Sequence, residues 1–162
     1  MATPSRHVDG GFGRPAPVRP LPLTQAASER RFVLAYRAGD DVLRELLHFA
    51  RDAGIEGATF TGLGALQEGA IAWWNPSTRR YEERPFRDQR EVASLVGNVS
   101  LSPAGDDVEA HAHAVLGDRD GRAHAGHLLR GIVRPTLEVA LVESASPLRR
   151  VRDEATGLSL LA

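Results

Sequence analysis

Residues 108–129 read VEAHAHAVLGDRDGRAHAGHLL, and this stretch decides the fold. From Val108 to Leu116 the pattern alternates. Val108, Ala110, Ala112 and Ala114 take one face, and Glu109, His111, His113 and Val115 take the other. Side chains alternate across a strand in this way, so the segment is predicted to be a strand. Gly117-Asp118-Arg119-Asp120-Gly121 follows as a hairpin turn, with glycine able to take positive φ. Residues 122–129 return as the partner strand. A turn centred near residues 119 and 120 sets His127 opposite His111–His113. Opposed residues project to one face, with Cβ atoms about 5 Å apart.

Three histidines are therefore expected together. A buried imidazole without a partner is costly. A divalent metal would satisfy all three rings at once, and neutral imidazoles suit zinc. Three protein ligands would leave one position for water or substrate. A histidine cluster serving structure alone fits the same spacing. His124 lies three residues before His127, so on a strand it points to the other face and stays outside the site. Glu109 and Glu138 are the candidates for acid–base work or for orienting the histidines. The plain alternatives are a surface carboxylate for Glu109 and a sheet salt bridge for Glu138.

Outward from the hairpin, residues 31–37 (RFVLAYR) read as a strand. Gly39-Asp40-Asp41 supplies a helix start. Val42, Leu46, Phe49 and Ala53 recur at helical spacing, and Gly54 ends the helix. His48 on this helix is a packing or surface residue. Residues 57–62 (GATFTG) read as a strand, Gly62-Leu63-Gly64-Ala65 as a tight connection, and residues 69–74 as another strand. The Gly-x-Gly there lacks the third glycine and following helix of a dinucleotide loop. Asn75-Pro76-Ser77-Thr78 is turn chemistry, and residues 80–84 return as a hairpin partner. Residues 92–101 form a largely buried strand and residues 135–143 a central one. Residues 148–153 add a short edge strand, and residues 156–161 a final tether.

Composition bounds the chemistry. A chain of 162 residues fits one domain plus a tail. Residues 29–162 are the expected domain. Residues 1–28 hold five of the ten prolines and no apolar period, so they are expected to be disordered. There is no cysteine, which excludes disulfides, thiolate nucleophiles and cysteine-bound zinc. All 20 basic residues are arginine, which excludes Schiff-base catalysis and a Walker lysine. The formal charge of −1 provides no overall basic excess for nucleic acid. Arg79, Arg80, Arg84, Arg87 and Arg90 are interleaved with Glu82, Glu83, Asp88 and Glu91, as on a solvated hairpin. No apolar run approaches the roughly 20 residues that span a bilayer, and the N-terminus lacks a basic-then-apolar leader. A cytoplasmic protein with no membrane partner is expected.

Taken together, His-x-His, Gly-Asp-Arg-Asp-Gly, Gly126-His127-Leu128 and Thr136-x-Glu138-Val139 resemble the PPC domain, the "plants and prokaryotes conserved" domain. The resemblance runs from about Arg30 to Leu160. It includes Gly62-Leu63-Gly64-Ala65, Tyr81, Leu95-Val96-Gly97-Asn98 and Asp153-Glu154-Ala155-Thr156-Gly157. It implies an α/β (α+β) fold, a mostly antiparallel sheet with one main helix packed on it, and a homotrimer. It also implies that His111, His113 and His127 hold a metal, usually zinc. Plant members of the family join the domain to AT-hooks and act on AT-rich DNA, and prokaryotic members are labelled DNA-binding by that analogy. Here Gly13-Arg14-Pro15 is similar to the core of an AT-hook, but Phe12 stands where the first arginine belongs. Ala125 replaces the first glycine of the usual Gly-Gly-His-Leu. The plant partner-contact segment aligns with residues 88–93, where only Glu91 is kept.

The resulting expectation is a zinc-binding homotrimer with a DNA-binding or regulatory role. The alternative is a zinc-dependent hydrolase or lyase acting on a small molecule, with Glu109 or Glu138 accepting the proton. A metal that serves only as a structural staple is the third reading.

Overall fold

The computed structural model describes residues 30–162. The tail expected over residues 1–28, with Gly13-Arg14-Pro15, lies outside the described residues. Strand β1 (Arg31–Arg37) leads into helix α1 (Val42–Asp52). Five further strands join β1 in one six-stranded sheet, and a small C-terminal pair makes up the rest. They are β2 (Gly57–Asn75), β3 (Arg80–Phe86), β4 (Arg90–Leu101), β5 (Val108–Gly117), β6 (Ala123–Glu143), β7 (Arg150–Arg152) and β8 (Ser159–Leu161). All pairings between these strands are antiparallel. The sheet order is β1-β6-β5-β4-β2-β3, and β6 also pairs with β2. That extra pairing closes β2, β4, β5 and β6 into a ring. Among the described residues, no helix is long and apolar enough to cross a membrane.

Helix α1 forms as its sequence pattern demands. The Asp41 side chain accepts a hydrogen bond from the Arg44 N–H at 3.0 Å, a standard N-cap. Gly54 takes φ +66° just past the helix, where a side chain would be strained. Val42, Leu46 and Ala50 form the buried stripe. They pack into one core with Phe60, Leu66, Leu95, Val99, Leu116, Leu137 and Leu141. Burying each large side chain there contributes about 1.5–3 kcal/mol before entropy is counted.

Two breaks expected from the sequence are absent. Residues 57–62 and 69–74 belong to a single 19-residue strand, β2. Gly62-Leu63-Gly64-Ala65 is not a connection but a bulged stretch, with register shifts on both sides. Gly64 has φ +147°, and a Cβ there would lie 2.4 Å from the Thr136 carbonyl oxygen. The glycine marks a close approach of β2 to β6, not a turn. The returning strand expected over 122–129 begins at Ala123 and joins residues 135–143 in the 21-residue β6. Pro135 falls between the pairs Leu66↔Val133 and Gly64↔Leu137, at a register shift, so its missing N–H costs no ladder bond.

Closure of the ring gives the sheet an inner and an outer face. Gly97 is needed on the inner face. A Cβ there would lie 2.4 Å from the Phe60 ring and 2.3 Å from the His111 carbonyl oxygen. The outer face runs through the cross-strand neighbours His113↔Val96, Val96↔Thr61, Thr61↔Ala140 and Ala140↔Val33.

Candidate metal centre

The β5–β6 hairpin forms with the register that its alternation requires. His113 pairs directly with His127, and Leu116 with His124. His111 and His113 share the outer face because they are two residues apart on β5. One ring nitrogen from each of His111, His113 and His127 lies within 4.8 Å of the others. Ring centroids are 5.1 Å apart for His111–His113, 5.0 Å for His111–His127 and 5.5 Å for His113–His127. Gly126 permits the close packing next to His127. A Cβ there would meet the Ala72 carbonyl oxygen at 2.7 Å.

The cluster is built for neutral rings. Burial pushes the His127 pKa down to about 4, with further lowering from His111, His113 and Arg150. His111 is lowered by burial, then by Arg150 and His113. His127 Nδ1 is buried and has no hydrogen-bond partner. Tyr81 on β3 stacks against the same ring at 4.7 Å and 25°, holding its plane. An unpartnered buried nitrogen among three clustered imidazoles is the donor chemistry that a divalent cation satisfies.

A cavity of about 420 Å³ opens beside the cluster. Tyr81, Glu109, His111, His127 and Arg150 line it together with residues 158–161. Arg150 enters from β7 and is only 7% exposed. Its Nε donates to Ser100 Oγ at 2.7 Å, one terminal nitrogen to the Ser159 carbonyl oxygen at 2.7 Å, and the other to Asn98 Oδ1 at 2.6 Å. Asn98 is the cross-strand neighbour of His111.

Glu109 therefore shares the cavity with two of the three histidines. Glu138 lies in a separate groove with Val33, Leu63 and Val96. His124 is away from the cluster, bonded to Asp118 at 3.0 Å. His48 is on the exposed side of α1, 3.1 Å from Asp52. Sequence reasoning missed Tyr81, Asn98 and Arg150 as site residues. The signals for Asn98 were its place in the Leu95-Val96-Gly97-Asn98 match and its alternation on β4 opposite His111. Nothing distinguished Arg150 from nineteen other arginines.

The fold and the site define a class: antiparallel α/β proteins whose sheet closes on itself and carries a histidine triad on its outer face. Residues 23–145 match the Plants and Prokaryotes Conserved (PCC) domain, and the chain belongs to this family. The metal-containing protein AF0104 from Archaeoglobus fulgidus is 29% identical, with a TM-score of 0.76 over 82% of this chain and 93% of that one. A plant- and prokaryote-conserved protein from Pyrococcus horikoshii is 28% identical, with a TM-score of 0.77 over 86% and 97%. A Bacteroides thetaiotaomicron protein that carries the provisional name of a DNA-binding protein is 27% identical, with a TM-score of 0.77 over 83% and 96%. In sequence, the chain is also 30% identical to the bifunctional protein GlmU of a Synechococcus strain over 148 residues. The match takes in 90% of this chain and 22% of that protein's length.

Proposed function

We propose that this chain is a zinc-binding member of the family that works as a homotrimer, with His111, His113 and His127 as the metal ligands. The observation that carries this reading is the triad itself, with its ring nitrogens within 4.8 Å and His127 Nδ1 buried without a partner. When bound, zinc would supply Lewis-acid activation at a fourth coordination position. The chain's own residues prepare the ligands. Burial and the Arg150 charge keep His111 and His127 in the unprotonated form that binds metal. Tyr81 fixes the plane of His127. The metal-containing relative from Archaeoglobus fulgidus supports the same reading. Metal analysis of the full chain after zinc loading and desalting tests it. One zinc per chain is expected, and zinc independent of the three histidines contradicts it.

Support for self-association comes from the outer face, where Val33 is 73% exposed, Leu63 62% and Val96 47%. Apolar side chains clustered in this way favour burial against another copy. Light scattering should give three times the 17.5 kDa of one chain. A monomer at micromolar concentration would contradict the trimer.

The name of the Bacteroides relative favours a role in DNA binding as a second reading. The arginines of β3 and β4 are matched in number by glutamates of the same strands, so they offer little net charge for it. Arg90 pairs with Asp88 at 3.0 Å, and Glu83 takes Arg130 at 2.6 Å. A salt titration on duplex DNA decides this. Micromolar binding at physiological salt with a steep salt slope supports the DNA role, and its absence removes it. The cavity favours a zinc-dependent hydrolase or lyase as another reading, because it holds Glu109, a carboxylate able to accept a proton beside the histidines.

A further inference from the structure

Arg150 is costly to bury, and the tether it makes does not account for the cost. Its three hydrogen bonds go to neutral oxygens of Ser100, Ser159 and Asn98. Among the described residues it has no carboxylate within ion-pair distance. A buried guanidinium with no carboxylate in contact is unfavourable, and the Glu109 charge on the same cavity wall offsets only part of that cost. A guanidinium carries five N–H donors, so two remain after these bonds. The three neutral partners hold the group in place at the cavity wall. They account for three of its five donors and supply no negative charge.

The rest of the lining specifies the visitor. Glu109 is the one carboxylate on the cavity wall. With a divalent cation on the neutral imidazoles, the wall would hold three positive charges against that single negative one. Leu158, Leu160 and Leu161 supply apolar surface on the same wall. A volume of about 420 Å³ suits a small molecule and excludes a folded partner.

We propose that the cavity binds a small organic carboxylate, with the carboxylate on Arg150 and the aliphatic part against the leucines. Arg150 is then the residue that sets ligand class. The planar fork of arginine matches a carboxylate in a way that a point charge does not. The proposal rests on the zinc reading for the second pole of the site, and the experiment below separates the two.

The probes are 2-hydroxy-4-methylpentanoate, its primary amide and inorganic phosphate. Each is titrated calorimetrically into the zinc-loaded full chain at pH 7.5. The carboxylate should bind at least ~10-fold more tightly than the amide, the scale of a charge-assisted hydrogen bond. It should also bind more tightly than phosphate, which has no aliphatic part. Arg150→Gln, saturated with zinc and with its metal content measured in the same preparation, should erase the preference over the amide. Glu109→Gln removes the competing negative charge and should tighten the carboxylate a few-fold. Equal binding of acid and amide, or a preference that survives Arg150→Gln, overturns the proposal. Phosphate binding as tightly as the carboxylate overturns the ligand class. If Arg150→Gln does not fold, the Glu109→Gln arm decides, and unchanged or weaker carboxylate binding counts against the proposal. If the wild-type chain takes no zinc, the metal reading fails by itself. An Arg150-dependent preference for acid over amide on the metal-free chain then still supports the carboxylate site, and its absence overturns it.

Discussion

Five histidines lie among the described residues, in two kinds of surroundings. His48 and His124 are exposed, and each has a carboxylate beside it, Asp52 at 3.1 Å and Asp118 at 3.0 Å. His111, His113 and His127 have no carboxylate in ion-pair range and lie against one another instead. The first arrangement is ordinary surface electrostatics. In the second, burial, the neighbouring rings and Arg150 disfavour a proton on His111 and His127. That leaves the site open to a metal, which binds the unprotonated ring nitrogen. Two strands of one hairpin carry both kinds, so the difference comes from side-chain direction and not from the local fold.

The sharpest way to break this comparison is to remove one ring of each kind. His127→Ala should cost ~100-fold or more in zinc affinity by competition with a chelator, beyond the 10–100-fold typical of residues that only orient a ligand. The same substitution at His124 should leave zinc affinity unchanged. Equal effects would erase the distinction. Next in size is Gly97→Ala, which places a methyl against Phe60 and the His111 carbonyl. Overpacking of this kind costs about 1–3 kcal/mol, read as a fall in the denaturant midpoint. Because β5 must move to relieve it, zinc affinity should fall as well. Tyr81→Ala removes the ring stacked on His127, worth about 0.5–1.5 kcal/mol, so zinc affinity should drop by up to ~10-fold with little loss of stability.

The pH dependence separates the two kinds by window. The His127 pKa is lowered in the folded chain to about 4, against an ordinary value of 6.5. The unfolded chain therefore binds more protons between those values. Stability of the metal-free protein should fall as pH drops from 6.5 toward 4. Asp118 is lowered to about 2 from 3.8, chiefly by its hydrogen bond with His124. Its contribution is present above pH 3.8 and is lost below, toward pH 2. Urea unfolding across pH 7 to 4 checks the first window, and His127→Gln should flatten it. The smallest expected effect is His124→Ala at pH 7, within about 0.5 kcal/mol of wild type, as for exposed pairs generally.

The hairpin and the helix were legible because each rests on a local rule. Alternation from Val108 to Leu116, the glycines around Asp118 and the helical stripe from Val42 to Ala50 all act within a dozen residues. The continuity of β2 and β6 was not legible. Gly64 and Pro135 are ordinary break signals, and they are tolerated only because each strand meets the other at a register shift there. The ring closure has the same cause. The triad could be read from the hairpin alone, since all three rings come from it. Tyr81 and Arg150 could not, because they reach the site from β3 and β7 through contacts between strands far apart in sequence. The separation of Glu109 from Glu138 also became visible only with the two cavities in place.

Zinc-soaked crystals measured at the zinc edge decide whether the triad holds the metal. One anomalous peak per chain is expected at bonding distance, about 2.0–2.1 Å, from a ring nitrogen of each of His111, His113 and His127. No peak at the triad, or a peak held instead by His124 and Asp118, would contradict it.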